Sequence, residues 1–359
     1  MKKRGALPIM NTKIVLLNPE CPDEAALQEA GQILRDGGLV GFPTETVYGL
    51  GGNALDKDAS LKIYAAKGRP SNNPLIVHIA HRDEVYDLVR EVPDMAEILM
   101  DAFWPGPMTL IMKKKPLVPD ETTGGLDTVA VRFPSDPIAQ ALIAAARVPI
   151  AAPSGNLSGR PSPTMAQHMI EDMSGRIEMI IDGGQVGIGL ESTIIDCTED
   201  VPIILRPGFI SQEMLEELFE YVTVDRASVG PMKEGERPKA PGMMYRHYAP
   251  KAPMTLFEGD TEAVVARICA LAEADAAAGK TVGIIGTDET FARYQVGVVR
   301  SFGSREHVNT VAHNLFAVLR EFDDLNVDVI YAESVPKKGI GLAIMNRLSK
   351  AAGYHIERV

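Results

Sequence analysis

At 359 residues, with 45% hydrophobic and 23% charged side chains, the chain has the composition of a globular protein and the length for two domains. Its formal net charge of −12 argues against a protein whose main task is coating nucleic acid, and no apolar run of about 18 residues supplies a membrane span. Cys21, Cys197 and Cys269 are odd in number, far apart and without zinc-ligand spacing, which fits reduced thiols in a cytoplasmic protein.

In chain order, residues 1–4 are basic but lack the following apolar core of a signal peptide. Residues 24–35 carry helical apolar spacing and stop at Gly37-Gly38, and 39–42 read as a strand. Phe42-Pro43-Thr44-Glu45-Thr46 then sets two hydroxyls and a carboxylate beside a proline, where a central strand cannot continue. Gly49, Gly51 and Gly52 are expected to turn the backbone tightly towards a ligand. Asp56 or Asp58 caps a helix whose Leu61, Tyr64 and Ala65 share a face. That helix delivers Lys67-Gly68-Arg69-Pro70, a point charge and a bidentate fork suited to a polyphosphate. Residues 71–74 form a turn, and 75–79 a buried strand carrying His78.

Residues 83–102 are helical by pattern, with Pro93 near an internal boundary, and Trp104 anchors the rigid turn 104–107. Strands follow at 108–112 and 128–133, the second ending on Arg132, with a polar loop at 120–127 between them. Lys113, Lys114 and Lys115 read as a solvated strand end. A helix at 139–146 and a strand at 149–152 lead into Pro153-Ser154-Gly155-Asn156-Leu157-Ser158-Gly159-Arg160, a hydroxyl-rich loop of the kind that cradles an anion. No Gly-Lys-Ser/Thr follows it, so it is not a Walker loop. The glycine-rich run 187–193 precedes a strand and opens no helix, so it is not a dinucleotide fingerprint. A strand at 203–205 ends on Arg206, and a helix at 213–220 completes the first domain, 1–221. Residues 222–253 shift to Pro, Gly, Lys, Glu and Arg and read as a linker, whose second half, 241–250, is too aromatic and basic for a simple spacer. From 254 to 359, strands near 254–257, 281–285, 296–299 and 329–332 alternate with helices, which implies a small Rossmann-like parallel sheet covered on both faces.

The segments FPTETVYGL, KGRPSNNPLIVHI, WPGPMTL, APSGNLSGRPSPT and GLESTIID, in that order, resemble the YrdC-like family of threonylcarbamoyl-AMP synthases. PGMMYRHYAP and GLAIMNRLSKAA resemble its two-domain form. The resemblance implies an α/β protein: a YrdC-like twisted mixed-sheet catalytic domain at 1–221 (core about 14–211), a linker and active-site lid at 222–253, and a Rossmann-like C-terminal domain at 254–359. The activity it implies is formation of threonylcarbamoyl-AMP and pyrophosphate from L-threonine, bicarbonate or CO2, and ATP. A partner transferase would then use that product for N6-threonylcarbamoyladenosine in tRNA. Residue by residue, it assigns threonine to Thr46, His78, Arg132, Ala152 and Ser192. It assigns ATP to Arg69, Asn73, Thr128, Ser154, Ser162, Arg206 and Tyr245, with Lys67 and Arg69 as the catalytic cations and magnesium accompanying ATP on unassigned ligands. Gly155 departs from the commoner alanine, and Met244 from a frequent lysine. Two other readings fit parts of the pattern: a carbamoyl-adenylate-forming enzyme, and a non-catalytic module binding double-stranded RNA or tRNA on a basic concave face.

Overall fold

The computed structural model describes residues 10–230, 238–241 and 248–359. Among them, eleven strands form one twisted mixed sheet. They are β1 (Lys13–Leu16), β2 (Val40–Phe42), β3 (Gly49–Asn53), β4 (Ile76–His78), β5 (Met108–Lys113), β6 (Thr128–Arg132), β7 (Ile150–Ala151), β8 (Met179–Asp182), β9 (Thr193–Asp196), β10 (Ile203–Arg206) and β11 (Thr223–Val224). The order across the sheet is β1-β8-β2-β3-β7-β4-β6-β5-β9-β10-β11. A second sheet is parallel throughout: β12 (Met254–Glu258), β13 (Val282–Gly286), β14 (Val298–Ser301), β15 (Val329–Glu333) and β16 (Ile356–Arg358), ordered β14-β13-β15-β12-β16. The helix Thr261–Ala277 packs on one face of it, and Val308–Asp324 and Gly341–Ala351 on the other. The α/β class and both sheets match the sequence expectation.

Local chemistry sets the elements that carry the cleft. Asp23 caps the helix Glu24–Arg35 by accepting from the Ala26 amide, and Leu27, Ala30 and Leu34 bury its inner face. Asp56 caps Lys57–Lys67, and Gly68, at φ 64, ends it in the left-handed conformation that glycine adopts without strain. The buried face of this helix is Ala59, Ser60, Ile63, Tyr64, Ala66 and Lys67, while Leu61 and Ala65 point outward. The expected face was rotated because packing, rather than periodicity, turns the terminal lysine inward. Gly49, Gly51 and Gly52 do not form a turn. They lie within β3, where a methyl group on Gly51 would meet the Phe42 ring at 2.9 Å and Ile150 at 2.8 Å. Glycine is needed there for close packing.

Other boundaries also moved. The expected helix 83–102 is broken, because Val89 pairs with Lys114 as an extended bridge before Pro93 opens the helix Asp94–Phe103. The loop 120–127 contains a short helix, Asp120–Thr123, and the helix placed at 213–220 is Gln212–Glu216. β11 lies inside the expected linker and pairs with β10, so residues 223–224 belong to the first sheet. β16 was not foreseen.

Contact between the two halves is close. Val47 and Leu190 of the first half sit in one hydrophobic cluster with Leu315, Phe316 and Ile344 of the second. Gly189, at φ 89, lies flush against the backbone of Ala312 and His313, where no side chain fits.

Candidate functional site

β4, β6 and β10 run in the same direction, so His78, Arg132 and Arg206 reach the same edge of the sheet. His78 and Arg132 are register partners. Ser192 stands just before β9 at that edge, and the 43–46 connection brings Thr44, Glu45 and Thr46 to it. Helix Lys57–Lys67 supplies Lys67 and Arg69, and the 153–160 loop supplies Ser154 and Asn156. The resulting cleft spans about 690 Å³, open solvent at its mouth included.

Its polar groups form a continuous network. Arg132 Nη1 donates to Thr46 Oγ1 at 2.9 Å, Nη2 lies 2.7 Å from Glu45 Oε1, and Thr46 Oγ1 meets Thr44 Oγ1 at 2.8 Å. Arg206 donates to the Ser192 carbonyl and hydroxyl, both at 3.0 Å. Lys67 Nζ donates to the Ser154 and Asn156 carbonyls and so fastens the serine loop from beneath. Arg69 donates to the Asn73 and Pro74 carbonyls. Burial pushes both Arg69 and Arg206 down to about 10, which leaves each cationic at neutral pH. Burial, reinforced by Arg132, pushes His78 down to about 3. Its imidazole is therefore neutral, with Nδ1–H donating to the Ile76 carbonyl.

Thr46, Lys67, Arg69, His78, Arg132, Ala152, Ser154, Ser192 and Arg206 all line this one cleft. Ser162 does not. It is buried beneath the wall and donates to Glu191. Asn73 is buried beside Arg69, with its side-chain carbonyl oxygen unpartnered among the described residues. Thr128 stands at the opposite end of β6 from Arg132, roughly 13 Å away at the usual rise per residue. Tyr245 and Met244 lie outside the described residues.

Sequence reasoning passed over three participants: Glu191, Tyr248 and Arg347. Glu191 and Tyr248 line the cleft, and Tyr248 stacks on Phe316 at 5.1 Å between ring centres. Arg347 Nε donates to Glu191 Oε2 at 2.8 Å. Glu191 adjoins Ser192 within a quoted motif, and Tyr248 ends the aromatic stretch, so both were within reach. Arg347 also lies within a quoted motif, GLAIMNRLSKAA, but nothing local ties it to Glu191, 156 residues away. Among the described residues, no group of three His, Cys, Asp or Glu side chains is placed to hold a metal ion, and no helix is long and apolar enough to cross a membrane.

Fold and cleft together define a two-domain α/β enzyme with a cationic, hydroxyl-lined site for anionic substrates. Residues 32–208 match the family profile described as telomere recombination, and 210–353 match the threonylcarbamoyl-AMP synthase C-terminal domain. The threonylcarbamoyl-AMP synthase of Bacillus subtilis is 48% identical over 94% of this chain and 95% of its own. That of Pyrococcus abyssi is 49% identical over 94% and 97%. The crystal structure of P. abyssi Sua5 complexed with L-threonine superimposes with a TM-score of 0.92 at 47% identity, covering 97% of this chain and all of that one. The chain belongs to the threonylcarbamoyl-AMP synthase family in its two-domain form.

Proposed function

We propose that this protein joins L-threonine, bicarbonate-derived CO2 and ATP into threonylcarbamoyl-AMP, releasing pyrophosphate. The observation that carries this reading is the convergence on one cleft of Arg132 with the Thr46 and Ser192 hydroxyls, and of Arg69 and Arg206 with the serine loop. In this reading Arg132, whose fork is now shared by Thr46 and Glu45, takes the amino-acid carboxylate. Thr46 and Ser192 receive the polar groups of threonine, neutral His78 packs beside them, and Ala152 contributes backbone. The P. abyssi relative is complexed with L-threonine, which supports threonine as the amino acid taken here.

The threonine amine attacks CO2, loses a proton and becomes a carbamate. A carbamate oxygen then attacks the α-phosphorus of ATP, and the bond to the β,γ-pyrophosphate breaks. Such a displacement is catalysed mainly by positioning and charge stabilisation. Arg69 and Arg206 provide charge, with Ser154 in the loop and Asn73, Ser162 and Tyr245 as further ATP-side residues, whereas Thr128, at the far end of β6, stands away from the cleft. Lys67 acts through the loop whose carbonyls it holds. Magnesium bound with the triphosphate would supply further neutralisation of its charge. The cleft carboxylates are already engaged, Glu45 by Arg132 and Glu191 by Arg347 and Ser162.

The product would pass to a cytoplasmic transferase that modifies adenosine in tRNA. The catalytic domain would run past the expected boundary at 221 to take in β11, the rest of 222–253 would be a linker closing over the site, and 254–359 a supporting domain. The test is pyrophosphate release with ATP, bicarbonate and a panel of amino acids. Threonine should exceed valine by about 100-fold, because a site built for a hydroxyl is left with unpaired groups by its isostere. Equal turnover of the two, or release without bicarbonate, overturns the reading.

A further inference from the structure

The second domain reaches the ATP side of the cleft through buried charge. Glu191, only 6% exposed, presents its carboxylate at the wall beside Arg206. Its Oε1 accepts from the Ser162 hydroxyl, and its Oε2 accepts from Arg347 Nε at 2.8 Å. Arg347 belongs to the helix Gly341–Ala351 and is fully buried. Its Nη1 donates to Asn346 Oδ1, its guanidinium lies 5.7 Å from the centre of the Tyr248 ring, and its Nη2 has no partner among the described residues. A second cation, Arg320 of the helix Val308–Asp324, donates twice to the Pro161 carbonyl and twice to Asp172. Arg160, in the serine loop itself, is shared between Asp172 and Asp323 of that same helix.

A fully buried guanidinium with one nitrogen unsatisfied is a costly way to join two domains, and an apolar pair of the same volume would do so more cheaply. A cation can do one thing that an apolar contact cannot. It cancels the charge of Glu191, which would otherwise turn on Arg206 and face the incoming phosphates.

We propose that Arg347 is a positioning residue for ATP, which holds and neutralises Glu191 so that Arg206 stays available to the triphosphate. The inference rests on the reading of the cleft as an ATP site, and it gives the second domain a direct electrostatic part in that site. The electrostatics of Glu191 agree. Burial alone would push its carboxyl up, but Arg347, Arg206 and the Ser162 hydrogen bond together hold it at about 2, so the charge is permanent.

The test uses the full chain and equilibrium binding of α,β-methylene-ATP, with L-threonine binding and thermal melting measured in parallel. Arg347→Met should weaken the nucleotide by about 10-fold or more while leaving threonine affinity within about 3-fold. Adding Glu191→Gln should restore nucleotide affinity to within about 3-fold of the Glu191→Gln single variant, because the uncompensated charge is gone. Arg347→Lys, which keeps the charge, should lose less than Arg347→Met and serves if the latter does not fold. Nucleotide binding by Arg347→Met equal to the unaltered protein overturns the proposal. So does a double variant as weak as Arg347→Met alone, since Arg347 would then be interdomain packing only. Failure of the unaltered protein to bind the nucleotide would instead overturn the ATP assignment itself.

Discussion

Both sheets gather polar side chains at the carboxyl ends of their strands, the place where α/β folds tend to hold ligands, yet the two clusters are built on opposite terms. In the second sheet, fully buried Glu333 closes on its own neighbours. It accepts from the Tyr294 hydroxyl at 2.6 Å, from Thr290 and Thr287, and from Arg305 Nη2 at 2.8 Å. In the first sheet, Arg69 and Arg206 are tethered to carbonyls and a hydroxyl, which orient a cation without cancelling its charge. One cluster has spent its charge on itself. The other keeps a positive field for an anion from outside. Burial of charge alone therefore does not mark a site: Arg132 is paired with Glu45 much as Arg305 is with Glu333, and the difference lies in Arg69 and Arg206, which neutral groups hold.

The sharpest way to break this contrast is to truncate one arginine from each cluster. Arg132→Ala should lower kcat/KM for threonine by about 100-fold or more, since it removes the carboxylate fork and leaves Glu45 buried against no cation. Arg305→Ala should leave kcat/KM unchanged, and equal losses in the two variants would erase the distinction. Next in size, Arg69→Ala and Arg206→Ala should each raise KM for ATP by about 10-fold or more, read from pyrophosphate-release kinetics. A smaller effect of a different kind is expected at Glu333→Ala: loss of about 3 kcal/mol in urea unfolding, because Arg305 is left without its carboxylate, with catalysis in the folded fraction intact.

The smallest effect is on pH. Burial, together with nearby cations, holds His78 at about 3 and His168 at about 4. Each binds its proton more readily unfolded than folded, so stability is full above the unfolded histidine value and falls as pH drops below about 6.5. Glu191, at about 2, adds a further loss below about 4.5 in the same direction. Urea midpoints measured from pH 8 to 4 should decline throughout that lower range, and the His78 ring resonances should not titrate between pH 5 and 8. A His78 titration near 6.5 would mean that the cleft is wetter than its packing indicates.

Much of this contrast could be read locally. Arg132 at a strand end, the serine loop, Lys67-Gly68-Arg69 and the caps at Asp23 and Asp56 are short-range patterns, and the fold uses them as expected. Misreadings arose where tertiary contact decides. The glycines of β3 resemble turn residues until Phe42 and Ile150 are laid against them. The turned face of helix Lys57–Lys67 depends on carbonyls of the serine loop, nearly ninety residues away, receiving the Lys67 ammonium. The aromatic stretch holds two tyrosines: Tyr248, which the sequence passed over, lines the cleft, and Tyr245, which it favoured, lies outside the described residues.

The pairing of β11 with β10 bears on how the chain can be divided for separate expression. A cut after Tyr221, at the boundary suggested by composition, would strip the last strand from the sheet and with it the helix Arg226–Val229. It would also remove fully buried Ala240 from its place against Ile76, Ile111, Ala130, Ile194 and Leu205. A fragment ending there offers an open strand edge and a bare aliphatic face, the combination that invites self-association. Its poor turnover would report that damage as much as any missing cover over the nucleotide. A fragment ending at Pro241 keeps the strand, the short helix and Ala240 in place, and is the one whose activity would say what the remaining residues add.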